Sequence, residues 1–495
     1  MITNSRLPHI LKIITKIFLI GLLLQFFLQT FVTFELNLTG PLRTILWMRK
    51  EIVLVWLFGL LIYFIQKHPE YSGRKPLRDK LPIRRFIILF VLLIWGIGIL
   101  SLFITDVGLS AYALSIRYSM IGFFIFILFF VLAYIQQDEQ EMDMVKRYNS
   151  IIKKILIGAV IRRGIIRLMP NLLDHFGYNQ YNVEGKIWIA PPATYYTQYN
   201  EGYVRNQFLF ERPISLGFFL VALWPLFFMF VIKKRGRKNG LRWGGIFGLV
   251  IFSTFSRAAR IARFFQTWML ILLQYQKHIR KILLYGALPV IILGGIVFVG
   301  KNKLLTRNYS DIGHFTMITQ AIEKIKEKPL WGQGAGTAWP ASYQLVEGGY
   351  TLNRQKTKWN EGFLDDWGIP TTWETISTSE TKWLEISKAV AYNPENQFLQ
   401  IRIEYGIFGF IGRMALYLYL HKIGYTGYLD TLDPKKSKQQ RFYGYIIVAF
   451  SLGLLGLSIE WLVLHSFVDR MVVYPFMALF GLAYAVYYKS KWVNN

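Results

Sequence analysis

Long apolar runs, each close to the length that crosses a bilayer, alternate with shorter polar segments along most of this chain. A spanning helix needs about 20 apolar residues, and helix is expected because a segment in lipid must satisfy its own backbone polar groups. The pattern predicts twelve spanning helices, at residues 11–33, 46–66, 86–104, 117–135, 151–169, 214–232, 241–256, 259–275, 282–300, 398–420, 442–463 and 471–488. We therefore expect an all-α polytopic membrane protein.

Two long polar segments interrupt this pattern, at residues 171–213 and 301–397. With the N-terminus on the cytoplasmic side, both fall on the outer side of the membrane. Long ordered loops tend to hold binding or catalytic residues. We therefore divide the chain into nine helices with the first loop at residues 1–300, a large outer loop at 301–397, and the last three helices at 398–495.

The second loop itself predicts some local structure. Apolar residues at 315, 318, 322 and 325 follow helical spacing, which predicts a short amphipathic helix. The helix should stop at Lys328, because a residue before proline disfavours helix. Three glycines at alternate positions follow and predict a turn whose backbone can approach a ligand closely: Gly332, Gly334 and Gly336.

Charge supports the membrane interpretation. The chain is 53% hydrophobic and carries a net charge of +28, which alone would suggest nucleic-acid binding. Its basic residues, however, concentrate at 67–85, 233–242 and 421–441, all on the cytoplasmic side of the predicted topology, as the positive-inside rule expects. The loop 301–397 carries eleven Lys and Arg against eleven Asp and Glu. The basicity therefore reflects topology, and we expect no nucleic-acid partner.

The sequence offers little for metals or cofactors. It contains no cysteine, which excludes disulfides, thiolate metal sites and cysteine nucleophiles. Asp365 and Asp366 have no spaced carboxylate or histidine that would complete a recognised metal motif. The glycines at 332, 334 and 336 lack the strand–turn–helix context of a dinucleotide site. We expect neither a metal nor a cofactor.

Arginines at the ends of predicted spans are the first chemical candidates. Arg257 lies at an outer turn, where it either snorkels to headgroups or binds a ligand, since intramembrane charge costs roughly 2.5–3.5 kcal/mol. Its planar fork suits phosphate. Arg205 and Arg212 precede the sixth span and are either phosphate ligands or ordinary juxtamembrane cations. Three more interrupt the fifth span, which therefore either lines a cavity or does not cross: Arg162, Arg163 and Arg167.

The candidate general bases are His314, His175 and Glu395. Glu395 follows Pro394 where the second loop re-enters the membrane, so it is either a base or a carboxylate favoured by the helix macrodipole. Asn393 is a candidate cap for that helix, with proline at the first helical position.

In their order along the chain, four segments resemble the O-antigen ligase/polymerase superfamily of bacterial membrane glycosyltransferases. The first is an arginine segment before a span, and the second is a serine–arginine turn. The third is a helix followed by a Pro-Leu-Gly-x-Gly-x-Gly turn, and the fourth is the end of the large outer loop. In this sequence they are Arg205–Phe210 with Pro213 and Gly217; Phe255-Ser256-Arg257; His314–Ala321 with Pro329–Gly336; and Glu395–Gln400 with Glu404, Gly406 and Gly409.

This resemblance implies a fold of the GT-C class and an inverting transfer of a glycan from undecaprenyl diphosphate to an acceptor, with no metal. It implies that Arg205 and Arg257 bind the diphosphate, with Arg212 in reserve. Glu395 or His314 would be the base, and Asn396 would orient or close the site. Two tryptophans would pack on sugar rings: Trp331 and Trp339.

The resemblance also implies a place and partners. The chain would lie in the cytoplasmic membrane of a bacterium with both termini inside and its site on the outer face. Its partners would be the lipid bilayer, the lipid-linked donor, and an acceptor that is a glycan, lipid or protein. Two other functions stay open from the residues. A transporter of polyprenyl-linked glycans would use the three arginines of the fifth span, and a non-catalytic envelope scaffold would need no converging arginines and carboxylate.

Overall fold

The helices of the protein pack into a bundle. In this computed structural model the described residues are 6–24, 51–63, 83–98, 103, 109–136, 140–168, 180–183, 186–189, 199–200, 203–206, 208–210, 213–274, 308–338, 396–462 and 469–492. The predicted span at 282–300 lies outside them, as does most of the loop 301–397.

The first half of the chain supplies six α-helices and one π-helical segment. These are α1 (Arg6–Leu23), α2 (Glu51–Tyr63), α3 (Arg84–Val91), the π-helix Leu92–Gly98, α4 (Leu109–Ser119), α5 (Ile121–Gln136) and α6 (Gln140–Leu168). They overlap the first five predicted spans. The helical prediction is confirmed here, although α6 begins well before residue 151.

Two short antiparallel hairpins lie in the predicted outer loop 171–213. In the first, β1 (Gln180–Val183) pairs with β2 (Lys186–Ile189), and in the second, β3 (Tyr199–Asn200) pairs with β4 (Tyr203–Val204). Apart from these hairpins, the regular structure among the described residues is helical.

The second half of the chain supplies the longer helices. These are α7 (Pro213–Ser253), α8 (Arg257–Gln274), α9 (Asn308–Glu327), α10 (Gln397–Leu432), α11 (Lys438–Glu460) and α12 (Arg470–Trp492). Three described stretches are long and apolar enough to cross a membrane: Pro213–Ile232, Lys438–Glu460 and Arg470–Lys491. They match three of the predicted spans, and the count of twelve stays a prediction.

Helix α7 folds back on itself. A straight helix of 41 residues would be about 60 Å long, with Trp224 and Phe247 about 35 Å apart. Their ring centres instead lie 4.8 Å apart. The predicted spans 214–232 and 241–256 are thus two antiparallel arms. Helical backbone also covers the predicted loop 233–242 between them.

The core lies where α10, α11 and α12 meet α5 and α7. Helices α10 and α11 cross closely because small residues face each other: a Cβ on Gly444 would lie 2.6 Å from the carbonyl oxygen of Gly427. Between α5 and α12, aromatic rings fill the space, with Phe126 centred 5.2 Å from Phe480. This packing fixes the helix ends that carry the candidate site.

Candidate functional site

A short turn between α7 and α8, residues 254–257, forms the centre of the candidate site, and we call it the arginine turn. The Thr254 hydroxyl donates to the carbonyl of Ile251 at 2.7 Å and accepts from the backbone N–H of Ser256 at 3.2 Å. The Ser256 hydroxyl accepts from the N–H of Ala259 at 3.3 Å, which makes it the N-cap of α8. Arg257 is consequently the first residue of α8.

The arginine turn holds a strained residue. Phe255 has a φ of 55°, in the left-handed region that a bulky side chain rarely adopts, and its side chain is buried. Such conformations cost on the order of 1–3 kcal/mol and cluster at functional sites. The reversal it produces sets Ser256 and Arg257 at the start of a new helix directly after α7.

A second segment, residues 205–206, is pinned against this turn. Arg205 is 5% exposed, and its Nε donates to the carbonyl of Thr254 at 2.9 Å. The Asn206 N–H donates to the carbonyl of Ser253 at 2.8 Å. Phe208, with a φ of 49°, is the other described non-glycine residue with positive φ. Both strained residues therefore flank the contact that brings Arg205 to the arginine turn.

The Asn206 side chain extends this attachment to α6. Its amide donates to the carbonyl of Ala159 at 3.0 Å and to the Ser253 hydroxyl at 3.1 Å, while its oxygen accepts from the N–H of Phe208 at 3.2 Å. Four elements thus meet at one buried polar junction: α6, α7, the arginine turn and the segment 205–206. Arg205 thus lies against the turn that carries Arg257, and the binding of one diphosphate by both arginines stays a prediction.

Helix α8 carries two further arginines that were not among the predicted site residues. The Arg260 Nε donates to the carbonyl of Ser256 at 3.3 Å, and its guanidinium lies 4.8 Å from the ring centre of Phe252. Arg263 donates to the carbonyl of Gly244 at 2.7 Å. The sequence does contain a signal for them, because arginines recur at positions 257, 260 and 263, an interval that places residues on one face of a helix.

The predicted amphipathic helix and glycine turn are both present. The turn was expected to approach a ligand, and in the structure it packs on the backbone of α10. Helix α9 ends at Glu327, directly before Lys328 and Pro329, as predicted. Residues 328–338, which we call the docked turn, then pack on α10. All three glycines have positive φ and are buried: Gly332 (80°), Gly334 (116°) and Gly336 (84°). Two of them approach the α10 backbone closely: a Cβ on Gly332 would lie 2.6 Å from the carbonyl oxygen of Ile403, and the N–H of Gly334 donates to the carbonyl of Glu404 at 3.2 Å.

Helix α10 begins three residues later than it would with the predicted cap, Asn393. Asn396, not Asn393, is its N-cap, since the Asn396 side-chain oxygen accepts from the N–H groups of Phe398 and Leu399 at 2.9 and 3.0 Å. The side-chain amide donates to the carbonyl of Leu462 at 2.9 Å. The side chain is thus engaged in joining α10 to α11, and the prediction that it orients the site remains a prediction.

The structure describes only some of the remaining predicted site residues. Trp331, on the docked turn, is 37% exposed, with its ring centre 5.1 Å from that of Phe408. His314 belongs to α9. Glu395, Arg212 and Trp339 lie outside the described residues. Within the described ranges, no three His, Asp or Glu side chains are grouped in a way that could hold a metal ion.

Comparison with known proteins bears on this arrangement. Residues 244–413 match the family model described as O-antigen ligase, and this range contains the arginine turn, the docked turn and the first half of α10. A search of curated proteins finds none that matches this sequence. Residues 244–413 are thus similar to O-antigen ligases, and the match supports membership of the chain in the O-antigen ligase/polymerase superfamily.

Proposed function

We propose that this protein transfers a glycan from an undecaprenyl-diphosphate carrier to an acceptor hydroxyl or amide on the outer face of the cytoplasmic membrane of a bacterium. The observation that carries this proposal is the hydrogen bond from Arg205 to the carbonyl of Thr254, which holds Arg205 against the turn that carries Arg257. The family match supports glycan transfer as the class of activity.

The arginine turn suits a diphosphate leaving group. As the glycosidic bond breaks, negative charge grows on the departing phosphate oxygen, so fixed positive groups stabilise the transition state more than the ground state. Two guanidinium groups supply such charge at any physiological pH. The N-terminus of α8 adds its backbone N–H groups and the positive end of its macrodipole at the same place.

The site is organised before the substrate arrives. The Thr254 carbonyl orients the Arg205 guanidinium, and the Ser256 cap sets the direction of α8. Charged groups held in a largely buried position act more strongly than in water and need little reorganisation during the reaction. The apolar helices beside the turn, including Pro213–Ile232, would admit the lipid tail of the carrier from the bilayer.

The reaction itself would be a direct displacement at the anomeric carbon. The acceptor oxygen or nitrogen forms a bond to that carbon, the bond to the diphosphate oxygen breaks, and configuration inverts. Glu395 or His314 takes the proton of the acceptor, and Arg212 assists the two other arginines. Trp331 and Trp339 pack on sugar rings, and guanidinium groups provide the charge stabilisation that a metal supplies in other transferases.

A transfer assay tests the proposal. The purified protein, in lipid nanodiscs, is given an undecaprenyl-diphosphate-linked oligosaccharide and candidate acceptors, alongside Arg257→Ala and Glu395→Gln. We expect a transferred product from the wild type and a large loss in both variants. Single addition would indicate a ligase, and a ladder of products a polymerase. Full transfer by both variants would contradict the site assignment, and no transfer to any acceptor would favour transport or scaffolding.

A further inference from the structure

A buried carboxylate on α10 lies outside the arginine turn and outside the mechanism above. Glu404 is 1% exposed, and its Oε2 accepts a hydrogen bond from the Ser115 hydroxyl of α4 at 2.7 Å. The backbone N–H of Ala338, at the end of the docked turn, also donates to this carboxylate. Arg413, itself 2% exposed, attracts it electrostatically from nine residues further along α10.

The Glu404 carboxylate therefore joins three elements: α4, α10 and the docked turn. A buried carboxylate without partners would cost several kcal/mol, so each of these contacts matters for keeping it in place. The Ser115 hydroxyl lies 2.6 Å from the Tyr405 hydroxyl as well, which ties α4 to the next residue of α10. Removal of the carboxylate would loosen all three elements at one point.

The docked turn meets α10 at a break in that helix. Gly406 has a φ of 62° and a ψ of −159°, which interrupts the helix and exposes the carbonyls before it. The N–H of Gln333 donates to the carbonyl of Ile403 at 2.6 Å, and the N–H of Ile407 donates to the carbonyl of Pro329 at 3.0 Å. The turn thus uses backbone groups that a continuous helix would have paired internally.

Helix α9 is held by the same contact. Ala321 of α9, Ala338 of the docked turn and Ile403 of α10 form one buried apolar cluster. His314 lies two turns before Ala321 on α9, and Glu395 directly precedes the cap of α10. The docked turn therefore fixes how the helix that carries one candidate base sits relative to the helix that follows the other.

We propose that Glu404 is a positioning residue that locks the docked turn onto α10 and so fixes α9 relative to the start of α10. This inference rests on the proposed transferase function, because its consequence for catalysis is the placement of the base. Its structural part, the locking of α9 to α10, is measurable without any activity.

The kinetic test compares Glu404→Gln and Glu404→Ala with Asp430→Asn. Asp430 is a matched control on the same helix, since it is largely buried and paired with Lys491 at 2.8 Å, but it lies near the opposite end of α10. We expect kcat for glycan transfer to fall about ten- to a hundredfold in Glu404→Ala and less in Glu404→Gln, with the donor KM unchanged. An equal loss in Asp430→Asn, or wild-type turnover in Glu404→Ala, would overturn the proposal.

The structural test uses the absence of cysteine from the chain, which lets spin labels be placed only where cysteines are introduced. Labels at the exposed positions Gln320 on α9 and Leu418 on α10 report the distance between the two helices. We expect a narrow distribution in the wild type and in Asp430→Asn, and a broad one in Glu404→Ala. An unchanged distribution in Glu404→Ala would overturn the proposal. If the wild type transfers no glycan, the proposed function fails and this distance measurement alone decides the role of Glu404.

Discussion

The arginine turn and the aromatic core between α5 and α12 are both buried, yet different forces hold them. In the core, Phe126 is fully buried and packs against Phe480 and Tyr484, so apolar contact provides the stability. In the turn, a strained Phe255 and a chain of hydrogen bonds fix charged groups that water would otherwise solvate. Under the proposed function, stability and chemistry are located in separate parts of the bundle, and substitutions should separate them.

The largest expected effect on folding comes from the core. Phe126→Ala should lower the free energy of unfolding by about 3–5 kcal/mol, because it leaves a cavity among packed rings. Turnover per folded molecule should be unchanged. Thermal unfolding and specific transfer activity measure both quantities, and Phe58→Ala is the control, since that ring is 41% exposed and should cost less. Loss of turnover without loss of stability in Phe126→Ala would contradict the separation.

The largest expected effect on chemistry comes from the turn. Arg257→Ala should lower kcat about 100- to 1,000-fold, because it removes charge that stabilises the departing diphosphate. Its unfolding temperature should stay near that of the wild type, since the side chain is only half-buried. Arg242→Ala removes the same charge from an exposed position on α7 and should leave turnover intact. Equal losses in the two variants would reassign the effect to net charge.

A substitution where the docked turn meets α10 should lower both the stability and the turnover of the protein. Gly406→Ala places a Cβ 2.1 Å from the carbonyl oxygen of Leu330, at a backbone φ of 62°. We expect a loss of about 1–3 kcal/mol in stability, together with reduced turnover. Gly245→Ala is the matched control: a Cβ added to this helical glycine would meet no neighbouring atom within 4 Å, so alanine should be neutral or stabilise by up to about 1 kcal/mol. Equal stability of the two variants would contradict the account of the docked turn.

The smallest expected effect separates capping from charge at one residue. Ser256→Ala should cost about 1 kcal/mol, while Ser256→Asp keeps a good N-cap but places an anion beside the arginines. We therefore expect Ser256→Asp to keep its stability and to raise the donor KM. Ser437, the N-cap of α11 outside the site, provides the control pair Ser437→Ala and Ser437→Asp. An unchanged donor KM in Ser256→Asp would argue against phosphate binding at this turn.

Local signals in the sequence predicted the boundaries of several elements. The proline at 329 ends α9 where expected, and apolar length predicts the stretches Lys438–Glu460 and Arg470–Lys491. The serine before Arg257 could have been recognised as a helix cap, because Ser256 followed by an apolar helix is a common start signal. These features depend on residues close in sequence, which is why one sequence suffices to predict them.

Features that depend on distant contacts were not predictable. Nothing near Gly332 in the sequence shows that its backbone would pack on Gly406, 74 positions away. The choice of Asn396 over Asn393 as cap depends on where the start of α10 meets Leu462, two residues after the end of α11. The pairing of Arg205 with the turn at Thr254 likewise arises from tertiary packing. The resemblance to a family, rather than any local pattern, suggested that these two arginine segments belong together.

The most direct test of the central claim, that Arg205 and Arg257 act on one diphosphate, is a double-mutant cycle. Values of kcat/KM for transfer from the lipid-linked donor are measured for the wild type, Arg205→Ala, Arg257→Ala and the double variant. If both guanidinium groups bind the same diphosphate, the double variant should lose less than the product of the two single losses, with a coupling energy of about 1 kcal/mol or more. A double variant whose loss equals that product would contradict the claim, because the two arginines would then act independently.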